Sequence, residues 1–136
     1  MALMEWNEKL SVGVTSIDVQ HKKLVEMLNE LYDAMQARQS QEALGKVLDG
    51  LIAYTASHFK HEETLFAKTG YPAAAEHKKE HDDLTKQVLE VKKKYQEGVT
   101  ATLSMEVLNF LRKWLLTHIQ GSDKKYGPHL NAKGIR

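Results

Sequence analysis

Apolar positions recur every three or four residues through four stretches of the chain, separated by short polar breaks. From Asp18, which can cap a helix, His21, Leu24, Val25, Leu28, Leu31, Tyr32 and Met35 share one face. The run Arg38-Gln39-Ser40-Gln41 interrupts that stripe, and Leu44, Leu48, Leu51, Thr55, His58, Glu62 and Leu65 begin another. Gly70-Tyr71-Pro72 breaks the chain again, with Pro72 suited to the first position of a third helix. The third stripe runs His77, His81, Leu84, Val88, Val91, Tyr95 and stops near Gly98. A fourth, starting near Thr102 or Ser104, carries Val107, Leu108, Leu111, Trp114, Leu115 and His118 up to Gly121. The pattern predicts helices over roughly 18–38, 41–67, 72–97 and 103–121. Connections this short make successive helices antiparallel. The expected fold is therefore all-α: an up-down-up-down four-helix bundle forming a single domain over residues 1–136. An N-terminal arm should pack Trp6, Val12, Val14 and Ile17 on the bundle. The tail from Asp123, with Gly127-Pro128, should be short and irregular.

Composition adds exclusions. With 19 basic and 18 acidic residues, nothing favours nucleic acid or an anionic membrane surface. No apolar run suits a signal peptide or a membrane span, and cysteine is absent, so a cytoplasmic monomer is expected. Histidine is the unusual residue, present seven times.

The segment HFKHEE, residues 58–63, shows which of these histidines face inward. A helix advances about 100° per residue; with His58 at zero, Glu62 falls near 40°, at the centre of the apolar stripe. His61 and Glu63 lie roughly 100° to either side of that centre. A single core histidine is ordinarily a hydrogen-bonded imidazole, but an inward glutamate needs a partner. His77 and His81 extend the third stripe, His21 opens the first and His118 closes the fourth. In an antiparallel bundle all of these positions fall at the same end. His21, His58, Glu62, His77, His81 and His118 therefore converge at one level of the core. Asp123 follows His118 by five residues, about 140° round an ideal helix. It either stays in solvent or joins the site through a π-type turn or a redirected helix end near Gly121.

This donor set is too large for one zinc ion and too poor in oxygen for calcium or magnesium. Imidazole with carboxylate suits iron, copper, nickel or zinc, and carboxylates can bridge two metals. HKKEH, residues 77–81, also matches the inverted zinc-protease pattern with Glu80 as base, but Glu80 turns toward solvent and that pattern leaves the other donors unexplained.

His21, H-F-x-x-E-E from His58, H-x-x-x-H from His77 and H-x-x-x-x-D from His118 together resemble the hemerythrin signature. DVQHKKL, GYP and WLLTHIQGSDKKYG extend the resemblance over nearly the whole chain, most like a single-domain bacterial hemerythrin. It implies a non-haem di-iron cofactor with an oxo or hydroxo bridge. Glu62 and Asp123 would bridge the irons; His77, His81 and His118 would complete one and His21 and His58 the other. The resulting donor count leaves one coordination position open on the iron held by His21 and His58. The implied function is reversible O₂ binding there, as hydroperoxide, by a carrier or store that is not an enzyme. Its alternatives are an oxygen or redox sensor, for which the chain has no room for a signalling region, and a di-iron oxidase or peroxidase, which draws on more carboxylates. An oxygen-consuming client is a conceivable partner. Leu24, Phe59, Trp114, Leu115 and Ile119 lie near the donors and are expected to wall an O₂ pocket. No inward Lys, Tyr or further carboxylate is expected at that level to protonate bound peroxide. Histidine tautomers should be fixed by carbonyls or carboxylates that sequence does not name. Glu63 reads as a solvated or supporting acid, and His61 and His129 as surface residues.

Overall fold

The computed structural model describes residues 3–38, 41–98 and 105–136. Four antiparallel helices form the bundle: α1 (Thr15–Gln36), α2 (Gln41–Thr69), α3 (Ala74–Gln96) and α4 (Met105–Thr117). A π-helical segment, His118–Asp123, continues α4 and leads into α5, Lys124–Ala132. The described residues contain no strand and no helix long and apolar enough to cross a membrane. Thr102 and Ser104, where the fourth helix is expected to begin, lie outside the described residues.

The stripes pack as their periodicity requires. Leu24, Val25, Leu28 and Leu31 of α1 are buried with Leu48 and Phe66 of α2, Leu84 and Tyr95 of α3 and Leu108 of α4. Between α2 and α3 the chain reverses over Gly70, whose φ of +67° lets the Tyr71 N–H reach the Phe66 carbonyl at 3.1 Å. Pro72 lies in that turn, two residues before α3 begins.

Two local expectations are corrected. Asp18 does not cap α1, which starts at Thr15 behind Val14, a residue with no side-chain cap. Its carboxylate accepts instead from the Ser11 hydroxyl at 2.6 Å and the Val12 N–H at 2.9 Å, fastening the arm to the helix. The arm is buried deeply at Met4, Leu10, Val12 and Val14, while Trp6 is half-buried with Lys22 above its ring.

The tail is not irregular either. α5 includes Pro128 within it and buries Tyr126, Gly127 and Leu130. A proline forfeits one hydrogen bond and crowds the preceding turn, yet here the apolar face of the segment has a core to cover. A side chain at Gly127 would overlap the Val12 carbonyl oxygen, so glycine is what lets α5 lie against the arm. Asn131 holds that contact by donating to the Gly13 carbonyl at 3.0 Å.

Candidate metal centre

The early part of α1, the later part of α2, the start of α3 and the π segment meet at one end of the bundle. They deliver His21, His58 and Glu62, His77 and His81, and His118 and Asp123 respectively. None of these seven residues exposes more than 4% of its surface. Asp123 joins the group because the chain after His118 is π-helical. The Lys124 N–H bonds the Ile119 carbonyl five residues back, so one wide turn brings His118 and Asp123 to the same side. Gly121 is not sterically required there: a Cβ would meet nothing within 4 Å.

The donor atoms fall into two overlapping groups. Glu62, His77, His81, His118 and Asp123 form one, and His21, His58, Glu62 and Asp123 the other, with donor atoms in each within 4.8 Å of one another. Asp123 spans both: Oδ1 lies 2.9 Å from His77 Nε2 and 3.0 Å from His118 Nε2, and Oδ2 lies 3.1 Å from His21 Nε2. Glu62 places Oε1 3.2 Å from His58 Nε2 and 3.3 Å from His81 Nε2. Its Oε2 accepts a hydrogen bond from the Tyr126 hydroxyl.

Chemistry at these distances calls for a cation. The Glu63 carboxylate, 3.0 Å from His81 Nδ1, and the Gln20 amide oxygen, 2.7 Å from His58 Nδ1, accept from those nitrogens, so in the metal-binding tautomer of each ring Nε2 carries the lone pair. The Nε2 lone pairs then point at Glu62, and His81 Nε2 also faces His118 Nε2 at 3.2 Å. Acceptors aimed at acceptors repel unless protons or metal ions lie between them. Glu62 Oε1, both Asp123 oxygens, His77 Nε2 and His21 Nε2 are buried without a hydrogen-bond partner among the described residues. Burying such groups unmatched is costly. Nitrogen and carboxylate donors in this proportion fit a pair of transition-metal ions.

Electrostatics agree with acids kept ionised. Burial and the Asp123 charge would raise the Glu62 carboxyl, but the His58 and His81 imidazoles beside it outweigh them and hold it at about 2. Burial likewise opposes ionisation of Asp123, yet His118, His21 and His77 keep it well below its ordinary value. Burial pushes His58 down, favouring the neutral imidazole that metals bind.

Supporting residues follow a pattern of which the sequence reading names only Glu63, as a solvated or supporting acid. Gln20, beside His21 on α1, serves His58 on α2. Glu63, beside Glu62 on α2, serves His81 on α3. Glu80, beside His81 on α3, lies 3.5 Å from His118 Nδ1 and is held by the Ser122 hydroxyl at 2.8 Å. A residue adjacent to a donor sits about 100° round its helix, at the seam with the next one. That offset is the signal available in the sequence.

Tyr126 corrects the expectation of no inward tyrosine, and it enters because α5 is helical. Its phenol is pushed well above its ordinary value by burial and by the Asp123 and Glu62 charges, so it remains a hydrogen-bond donor. His61 is half-buried beside Ser16, and His129, also half-buried, contacts the Thr69 carbonyl at 3.1 Å.

An apolar cavity of about 50 Å³ lies in the bundle with Leu24, Phe59, Trp114 and Leu115 in its lining, which includes none of the seven donors. Phe59 stacks on His81 at 3.8 Å and Trp114 on His118 at 4.4 Å between ring centres. Ile119 does not line this cavity; the π segment turns it into the core, where it is fully buried.

Residues 12–130 match the model of the hemerythrin HHE cation binding domain. The chain belongs to the hemerythrin family. It is 41% identical over 133 residues to a bacteriohemerythrin of Methylococcus capsulatus, covering 97% of this chain and 100% of that one. A bacteriohemerythrin of Stenotrophomonas maltophilia is 39% identical over 97% of this chain and 84% of its own. A crystal structure of wild-type hemerythrin superposes with a TM-score of 0.89 at 41% identity, over 95% of this chain and 98% of that chain. The hemerythrin fold and the cation-binding description thus accompany the same donor cluster that the helix geometry assembles.

Proposed function

We propose that the chain binds dioxygen reversibly at a non-haem di-iron centre and acts as a carrier or store, not as an enzyme. The observation that carries this reading is the pair of donor groups sharing Glu62 and Asp123, backed by an apolar cavity whose wall residues Phe59 and Trp114 stack on His81 and His118. His77, His81 and His118 would hold one iron, His21 and His58 the other, with both carboxylates between them. A pair of iron ions held there would supply the reversible two-electron chemistry that dioxygen binding needs.

The chain's own residues do the rest. The group with three histidines has five protein donors and the other has four, so the exogenous molecule belongs on the His21–His58 side. Leu24, Phe59 and Leu115 exclude water from the approach. Thr55, in the cavity lining, already donates its hydroxyl to the Leu51 carbonyl at 2.7 Å. Tyr126 is committed to Glu62 and is absent from the cavity lining, so it does not serve as an acid there. A site without an available proton donor favours release over bond cleavage. All seven donors come from one chain, so the reading needs no second copy.

The test is to load the purified protein with ferrous iron, reduce it, then admit and remove oxygen repeatedly. Colour that appears and fades with each cycle, without consuming reductant, supports a carrier. One zinc ion per chain, or oxidation that does not reverse, contradicts it.

A further inference from the structure

The two donor groups differ on the side of the imidazoles that faces away from the shared carboxylates. In the three-histidine group, His81 Nδ1 is hydrogen-bonded to the Glu63 carboxylate at 3.0 Å, and the Glu80 carboxylate lies 3.5 Å from His118 Nδ1, near enough to act by its charge although it forms no hydrogen bond there. In the two-histidine group, His58 presents Nδ1 to the uncharged amide oxygen of Gln20. His21 Nδ1 is buried without a hydrogen-bond partner among the described residues. One donor group thus has a hydrogen-bonded carboxylate and a second carboxylate close behind its imidazoles, and the other has a neutral amide.

An anionic acceptor on Nδ1–H increases the electron density the ring offers through Nε2, and such charge-assisted bonds are roughly twice as strong as neutral ones. Donor number works in the same direction, five against four. We propose that the two metal positions are unequal and fill in order. The His77–His81–His118 position fills first and more tightly. Gln20 is the positioning residue that keeps the His21–His58 position weaker. This rests on the two-metal reading above.

Titration of the metal-free full-length protein with cobalt(II) alone, followed by visible absorption, tests both ideas separately. The wild type should bind two ions in two resolved steps. His21→Ala should remove the weaker step and keep the tighter one. Gln20→Glu should tighten the weaker step about tenfold and leave the tighter step within about twofold, while Gln20→Leu should weaken the same step. Glu63→Gln should instead weaken the tighter step by roughly 10- to 100-fold. Opposite shifts from the two Gln20 variants separate this role from a general loss of folding, which lowers both steps together. Two equal steps in the wild type, or a weaker step that Gln20→Glu leaves unmoved, overturns the inference. Saturation at a single ion overturns the two-metal reading, and the inference with it.

Discussion

Glu62 concentrates the logic of the site in one side chain. One oxygen faces imidazoles from both metal positions and the other accepts from Tyr126. Tyr126→Phe strips that donor from a buried carboxylate and should destabilise the metal-free protein by about 1–3 kcal/mol in urea denaturation. A change below about 0.5 kcal/mol would mean that the hydroxyl contributes little to holding Glu62. Leu115 lies in the wall of the apolar cavity. Leu115→Gln brings a polar amide and water toward the site, and should raise the rate of irreversible oxidation of the oxygenated protein several-fold. An unchanged lifetime of the oxygenated form would show that dryness at this wall is not what protects it.

At the scale of elements, regular periodicity was readable and departures from it were not. His58 and Glu62 stand four residues apart on a straight α-helix, so their shared direction follows from 3.6 residues per turn. His77 and His81 follow the same rule. Asp123 does not, because five residues share a face only where the helix widens, as it does in the π-helical segment His118–Asp123. α5 was hidden by Gly127-Pro128, a pair that reads as a turn until the Val12 carbonyl is seen to occupy the space of the missing Cβ. Gln20 and Glu80 were missed because they act across a seam, on a donor of the neighbouring helix. Gly127→Ala should therefore cost about 1–3 kcal/mol through forced separation of α5 from the arm. Gly121→Ala, where the added carbon meets open space, should leave the thermal midpoint unchanged or raised. Equal effects at the two glycines would contradict the close packing of α5 on Val12.

For the whole molecule, the same cluster that suits metal is a burden without it. Seven buried polar side chains from four segments of chain converge where apolar packing would otherwise close the bundle end. Ions that bind only the folded form stabilise it by mass action, so removing metal should lower the thermal midpoint and re-adding ferrous iron should restore it. Without metal, acid sensitivity follows from the carboxylates. Glu62 is held at about 2 against an ordinary 4.5, and Asp123 is lowered in the same direction. A depressed acid contributes stability that is fully present above pH 4.5 and is lost as pH falls toward about 2. The urea midpoint of the metal-free protein should decline through that interval, and Glu62→Gln should flatten the decline.

The central claim joins composition of the site to its use, and gas-binding stoichiometry addresses both in one sample. Iron and reversibly bound oxygen are measured on the same reduced protein, first under oxygen and then after its removal. The proposed function predicts two irons per chain and one dioxygen for each pair, all of it recovered on removal. One iron per chain, or oxygen consumed without being returned, would contradict a reversible carrier built on His21, His58, Glu62, His77, His81, His118 and Asp123.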